Sequence, residues 1–305
     1  MIHFLRRKKL GAGSIRGMTA WLENSEVSMN QSVLTWRGST SSIVRNDRLN
    51  TFQLQDGDLL VRWGCTTGTS APMSQQVNKS RAIHQVGDKR GFAQLVHMSH
   101  PTLTPDTIVS GGNGYSDWQR PMVLRPATHA QGRNLFVINS MQELLNVVRQ
   151  RPSVFSGGWY ARELIDKVAE YRVYVVQGRV ATVARKTPDN PAAVAWNVAQ
   201  GGRFDVVNWG DWDMEVVRVA IESFNLTDLD FGGVDVMVDQ SGRAYLIEIN
   251  SAPSLPLLSD GRVSYRQKCM AKTFKWMHEH GLERMETQGH EGWRDVIHPA
   301  IQEYN

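Results

Sequence analysis

The chain has 305 residues, 41% hydrophobic and 21% charged, with 26 glycines and 11 prolines. This is ordinary globular usage, which excludes a disordered, collagenous or coiled-coil protein, and at about 150 residues per domain the length allows roughly two domains. Lys plus Arg is 34 against 30 Asp plus Glu; Arg6, Arg7, Lys8 and Lys9 hold the surplus in one short run, too little for the clustered basic face of a nucleic-acid binder.

That basic start is followed by no apolar stretch, so it is not a secretory signal. No apolar run approaches the roughly 18 residues of a membrane-spanning helix. Cys65 and Cys269 stand in no disulfide or metal spacing, which fits a reducing, cytoplasmic setting.

In chain order, Ser14 to Glu23 reads as a helix capped by Ser14. Ser32 to Trp36 and Asp58 to Trp63 read as short strands, the second entered from the turn Gln55-Asp56-Gly57. Residues 1–77 form a small α/β opening lobe on this reading. Asn78 to His97 is helical with a break at Gly87-Asp88, and Pro101 to Pro105 is connection.

A second unit spans 78–165. Gly111 to Gly114 is a flexible loop, Pro121 to Arg125 and Leu135 to Ile138 are strands, and Thr128 to Asn134 is a polar tip whose Gly132 lets backbone N–H groups approach an anion. Ser140 to Gln150 carries a helix signature, with Ser140 as N-cap and Glu143 at the capping-box position.

The third unit, 166–305, opens with a hairpin, Tyr171 to Val176 and Arg179 to Arg185, turning at Gln177-Gly178. A second hairpin joins Gly233 to Val238 with Arg243 to Ile249. A four-residue loop sets Val238 against Arg243, Val236 against Tyr245 and Val234 against Ile247. The opposite face then carries Asp235 and Met237 from one strand and Leu246, Glu248 and Asn250 from the other. A solvated edge hairpin is the plain alternative. Asn250-Ser251-Ala252-Pro253 favours a site, because the carboxamide continues the acidic face and Pro253 ends the strand at once. Clustered oxygens of this kind need a compensating cation, and oxygen-only ligands favour Mg²⁺ or Mn²⁺ over zinc.

Gly233-Val234-Asp235-Val236 followed by Glu248-Ile249-Asn250-Ser251-Ala252-Pro253-Ser254-Leu255 resembles the metal-binding strands of the ATP-grasp carboxylate–amine ligases, in particular the branch of glutathione synthetase and the ribosomal-protein glutamate ligase. Glu170-Tyr171-Arg172 is similar to the acid-x-Arg strand of that family, Asn197 to Gly202 to its N-L-x-x-G-G loop and Asn78-Lys79-Ser80 to its D-K-x segment; together the likeness covers Asn78 to Leu255.

The resemblance implies an α+β, ATP-grasp fold, two α+β lobes sandwiching ATP behind the opening lobe, and an ADP-forming ligase that joins a carboxylate to an amine, the acceptor extending to a peptide or macromolecule. It implies that Lys79 and Arg125 contact phosphates, that Gly132 lies in the lid, and that the backbone of Arg162, Glu163 and Leu164 meets adenine. Glu170 would meet ribose, Arg172, Lys186 and Asn197 would flank the reacting phosphate, and Asp235, Glu248 and Asn250 would hold Mg²⁺ or Mn²⁺. Two positions depart from the family pattern: Arg125 replaces a lid lysine, and Ala195 replaces an arginine two residues before Asn197. A phosphotransferase, or a nucleotide-binding module without catalysis, stays open on the same scaffold.

Overall fold

The computed structural model describes residues 1–7, 11–27, 35–51, 53–108, 120–127, 134–155, 158–196, 202–285 and 293–302. Among these residues three β-sheets organise the α+β fold. Strand β1 (Ile2–Arg6) is followed by helix α1 (Ala12–Leu22), β2 (Thr35–Arg37), β3 (Ser41–Arg45), β4 (Leu59–Trp63) and β5 (Gln76–Val77). They form a sheet of order β2-β3-β1-β4-β5, parallel apart from its β2 edge. The near-continuous burial of β1, β3 and β4 is what a parallel sheet covered on both faces requires.

Helix α1 starts earlier than its sequence indicates. Gly11 supplies the entry in a left-handed conformation, φ 77°, with no side-chain cap. Ser14 lies inside the helix, where its hydroxyl accepts from the Leu255 N–H at 2.9 Å, so it serves a tertiary tether and not a cap.

Helices α2 (Ser80–Gly87) and α3 (Lys89–Ser99) break where Asp88 ends one and caps the other, its side chain accepting from Gly91 N–H. They pack into the same core as the third sheet, through Ala82, Ile83, Val86, Phe92 and Val96. The second sheet has the order β6-β9-β7-β8, built from β6 (Thr107–Ile108), β7 (Met122–Pro126), β8 (Phe136–Ile138) and β9 (Trp159–Glu163), with α4 (Met141–Gln150) against it. Ser140 caps α4 as its position predicts, although Glu143 reaches back to the Asn139 N–H, one residue before the cap.

The third sheet runs β12-β11-β10-β13-β14, all antiparallel. Its strands are β10 (Lys167–Val176), β11 (Arg179–Thr187), β12 (Arg203–Val207), β13 (Phe231–Asp239) and β14 (Ala244–Asn250). Gln177 and Gly178 turn the first hairpin with φ of 49° and 82°, two consecutive left-handed residues as in a type I′ turn. One face packs on α5 (Met214–Asn225). Toward its far end the other face meets α6 (Tyr265–His280) and the opening lobe in an aromatic cluster, with Trp63 stacked on Phe231 at 5.1 Å and Phe274 edge-on to Phe231 and Phe4. Short helices α7 (Trp293–Val296) and α8 (Pro299–Gln302) close the chain. Among the described residues no helix is long and apolar enough to cross a membrane.

Candidate active site

The chemistry gathers where β13 lies between β10 and β14. Asp235 has Arg172 as its register partner on one side and Glu248 on the other. The loop-length register does not hold here. Val238 pairs with Ala244 and Val236 with Leu246, and a β-bulge then leaves Ile247 without a partner before Asp235 pairs with Glu248 and Val234 with Ile249. Each bulge shifts the alternation by one residue. Leu246 therefore turns into the core with Val234 and Val236, while Ile247 joins the cavity wall beside Met237. The acidic pair survives because the shift brings Glu248 directly beside Asp235.

Asp235 is buried among cations. Arg172 donates to both of its oxygens, at 2.6 and 2.7 Å, and Lys186 donates to one at 3.2 Å. Lys186 also donates to Glu170 at 3.0 Å, and Lys167 bonds the other Glu170 oxygen. Burial alone would raise the Asp235 carboxyl, but Arg172 and Lys186 outweigh it and hold it below the usual carboxylate range. Burial likewise works against charge on Arg172 and Lys186, and their acidic partners overcome it and hold both above their ordinary values. Lys167 is less well matched, and burial takes it below its ordinary value in spite of Glu170. Phe204 offers its ring to the same group, 4.9 Å from the Arg172 guanidinium and 5.9 Å from the Lys186 ammonium.

In front of this network a cavity of about 240 Å³ separates the second and third sheets. It is lined from one side by Arg125, Arg162, Glu163 and Leu164 and from the other by Glu170, Lys186, Asp235, Glu248 and Asn250, which brings nine of the sequence-derived residues together. Arg172 stands behind Asp235. The N–H groups of Glu163 and Leu164 already donate to Asp106 and Pro121 carbonyls, at 2.8 and 2.9 Å. Glu170 accepts from one lysine on each of its oxygens. Gly132 and Asn197 lie outside the described residues.

Lys79 is not in the cavity wall; it sits at the start of α2 beside Asp230. Lys89 is there instead. Its ammonium donates to the Ile249 carbonyl at 2.9 Å and to Asn250 Oδ1 at 3.5 Å, and lies 3.6 Å from Glu248. The sequence carried the signal in Asp88-Lys89, a closer instance of the D-K-x pattern than Asn78-Lys79. Lys167, Trp196 and Ile247 also line the cavity, and none of these is marked by a motif.

Among the described residues no group of three His, Cys, Asp or Glu side chains converges to hold a metal. The donor set is two carboxylates, Asp235 and Glu248, and the carboxamide of Asn250, whose NH₂ donates to Glu248 at 3.0 Å. An all-oxygen set with few protein ligands fits a hard divalent ion that takes its remaining ligands from phosphate and water. Among the described residues the wall carries five cations, Lys89, Arg125, Arg162, Lys167 and Lys186, against four carboxylates, a balance suited to a polyanion.

The sequence pattern of the RimK-like ATP-grasp domain matches residues 106–266, more than half of the chain. No curated protein matches. Among solved structures, the ATP-grasp ligase PsnB complexed with a phosphomimetic variant of its minimal precursor, Mg and ADP superposes with a TM-score of 0.63 at 12% identity, covering 91% of this chain and 98% of that one. D-alanine–D-alanine ligase from Bacillus anthracis gives 0.55 at 13%, covering 91% and 98%. The macrocyclase MdnC bound with precursor peptide MdnA, from Microcystis aeruginosa, gives 0.58 at 12%, covering 89% and 98%.

Proposed function

The chain belongs to the RimK-like ATP-grasp family, and on that premise we propose that it is an ADP-forming ligase that joins a carboxylate to an amine through an acyl phosphate, with ATP and Mg²⁺ bound in the cavity between its second and third sheets. The observation that carries the reading is the adjacency of Asp235 and Glu248 on neighbouring strands, with Asn250 two residues on and five cations in the surrounding wall.

The substrate carboxylate attacks the terminal phosphorus of ATP and ADP leaves; the amine then attacks the acyl carbon and phosphate leaves. Two anions must meet in the first step, so the work of the protein is charge neutralisation and positioning. Asp235, Glu248 and Asn250 would hold Mg²⁺, which would supply positive charge against the phosphate oxygens. Lys89 and Arg125 supply fixed positive charge toward the phosphates from opposite walls, Arg125 as a planar fork that differs from a point-charge lysine. Lys186 balances Asp235 and Glu170, and both carboxylates hold it above its ordinary value. Arg172 fixes Asp235 from behind. Leu164 and Ile165 are among the apolar residues of the cavity wall, a lining suited to a purine ring.

PsnB and MdnC were each solved with precursor peptides, which supports a peptide as the acceptor. The reading is tested by incubating the protein with Mg²⁺-ATP and a panel of peptides bearing Asp, Glu and Lys. ADP and phosphate should accumulate only when a suitable acid and amine are both present, with loss of one water from the product mass. AMP and pyrophosphate would refute it.

A further inference from the structure

Arg162 belongs to β9 in the second sheet, yet its guanidinium crosses to the third. One terminal nitrogen donates to the Ile247 carbonyl at 2.8 Å; the other donates to the Leu246 carbonyl at 2.8 Å and to the Thr104 hydroxyl. Consecutive carbonyls of a regular strand point to opposite sides, so a single fork meets both only where alternation is broken. That place is the β14 bulge, on an edge strand whose outer carbonyls have no neighbouring strand.

The bulge decides which way the acids face. Continued without it from Val238–Ala244, the pairing would set Glu248 opposite Val234, on the core side. We propose that Arg162 is a positioning residue: its side chain holds the bulge and thereby turns Glu248 and Asn250 onto the face of Asp235. This rests on the ligase reading above and adds a positioning role to a residue that entered it only through its backbone and as one of the wall cations. Among the described residues Arg162 forms no ion pair with a carboxylate, and it lies almost fully buried, a costly placement for a cation that the carbonyl pair explains.

The test uses ADP and Mn²⁺, a paramagnetic stand-in for Mg²⁺, with binding read by electron paramagnetic resonance. Arg162→Lys keeps the charge and reaches one carbonyl only. It should weaken Mn²⁺ binding at saturating ADP by about tenfold or more, the scale of lost support behind metal ligands, and leave the unfolding temperature close to wild type. Thr104→Val, which releases the fork while leaving Arg162 in place, should give a smaller loss in the same direction with metal-free ADP affinity unchanged, and serves if the first variant does not fold. Unchanged Mn²⁺ binding in both, or a parallel fall in the metal-free ADP affinity of Thr104→Val, overturns the proposal alone. Wild-type protein that binds no Mn²⁺ with ADP overturns the ligase reading and this inference with it.

Discussion

Arg172 and Asp235, register partners on β10 and β13, are joined by two parallel hydrogen bonds of 2.6 and 2.7 Å. Removing one member of a buried pair leaves the other charge uncompensated, at a cost of about 3 to 5 kcal/mol. Asp235→Asn should therefore lower the urea midpoint and also cut ADP formation about 100-fold or more, the loss expected when metal binding is crippled. Urea titration and a coupled ADP assay check the two effects separately. Stability at the wild-type level would show that the pair is not the buried unit described.

Lys89 and Lys79 separate two readings of the phosphate lysine. Lys89→Met should lower the turnover number by about 10² to 10³, the scale of losing one charged donor to a developing anion. Lys79→Met, remote from the cavity wall, should keep most of the activity. Steady-state rates of both variants decide it, and the reverse ranking would restore Lys79.

Gly233 allows the strand after α5 to pass close to the β14 exit. A Cβ there would stand 2.7 Å from the Pro253 Cβ and 3.3 Å from the Arg172 Cδ. Gly233→Ala should cost about 1 to 3 kcal/mol as an overpacked site and slow turnover by displacing Arg172. Thermal melts with parallel rate measurements test this; an alanine variant of unchanged rate would mean that Arg172 tolerates the shift.

His298 predicts an acid dependence. It is fully buried and accepts the Ala300 N–H at Nδ1, 3.2 Å, which leaves Nε2 to donate toward Gln177 at 3.4 Å. Burial, with Arg179 nearby, pushes its pKa down to about 3. The fold thus favours the neutral ring, while the unfolded chain takes up a proton below about 6.5. Stability should be level above that pH and fall by about 1.4 kcal/mol per unit as the pH drops toward 3. His298→Gln should show a shallower fall between pH 7 and 5 in urea midpoints, and a slope equal to wild type would refute the assignment.

Local chemistry made much of the fold legible. Gln177-Gly178 fixed a turn, Gly87-Asp88 broke a helix, and the acid–carboxamide alternation of Glu248 and Asn250 marked one face. The β13–β14 register was not legible, because the turn is one residue longer than a four-residue loop, pairing Val238 with Ala244, and a bulge at Ile247 then adds a second shift within the strand. Arg162 was hidden for a related reason: its partners are backbone carbonyls far along the chain, and carbonyls leave no trace in residue type. Ser14 carried an N-cap signature that the Leu255 amide claimed instead.

That tether has a consequence for how the chain is made. Ser14 holds the Leu255 amide, Gln267 donates to the carbonyls of both Gly13 and Leu255, and Phe4 rests against Phe274. During synthesis the first strands emerge long before α6, so the opening lobe waits on the ribosome with Phe4 and Trp63 uncovered. A nascent chain of this design completes its first layer last, and fragments that stop short of α6 should aggregate unless the missing piece is co-expressed.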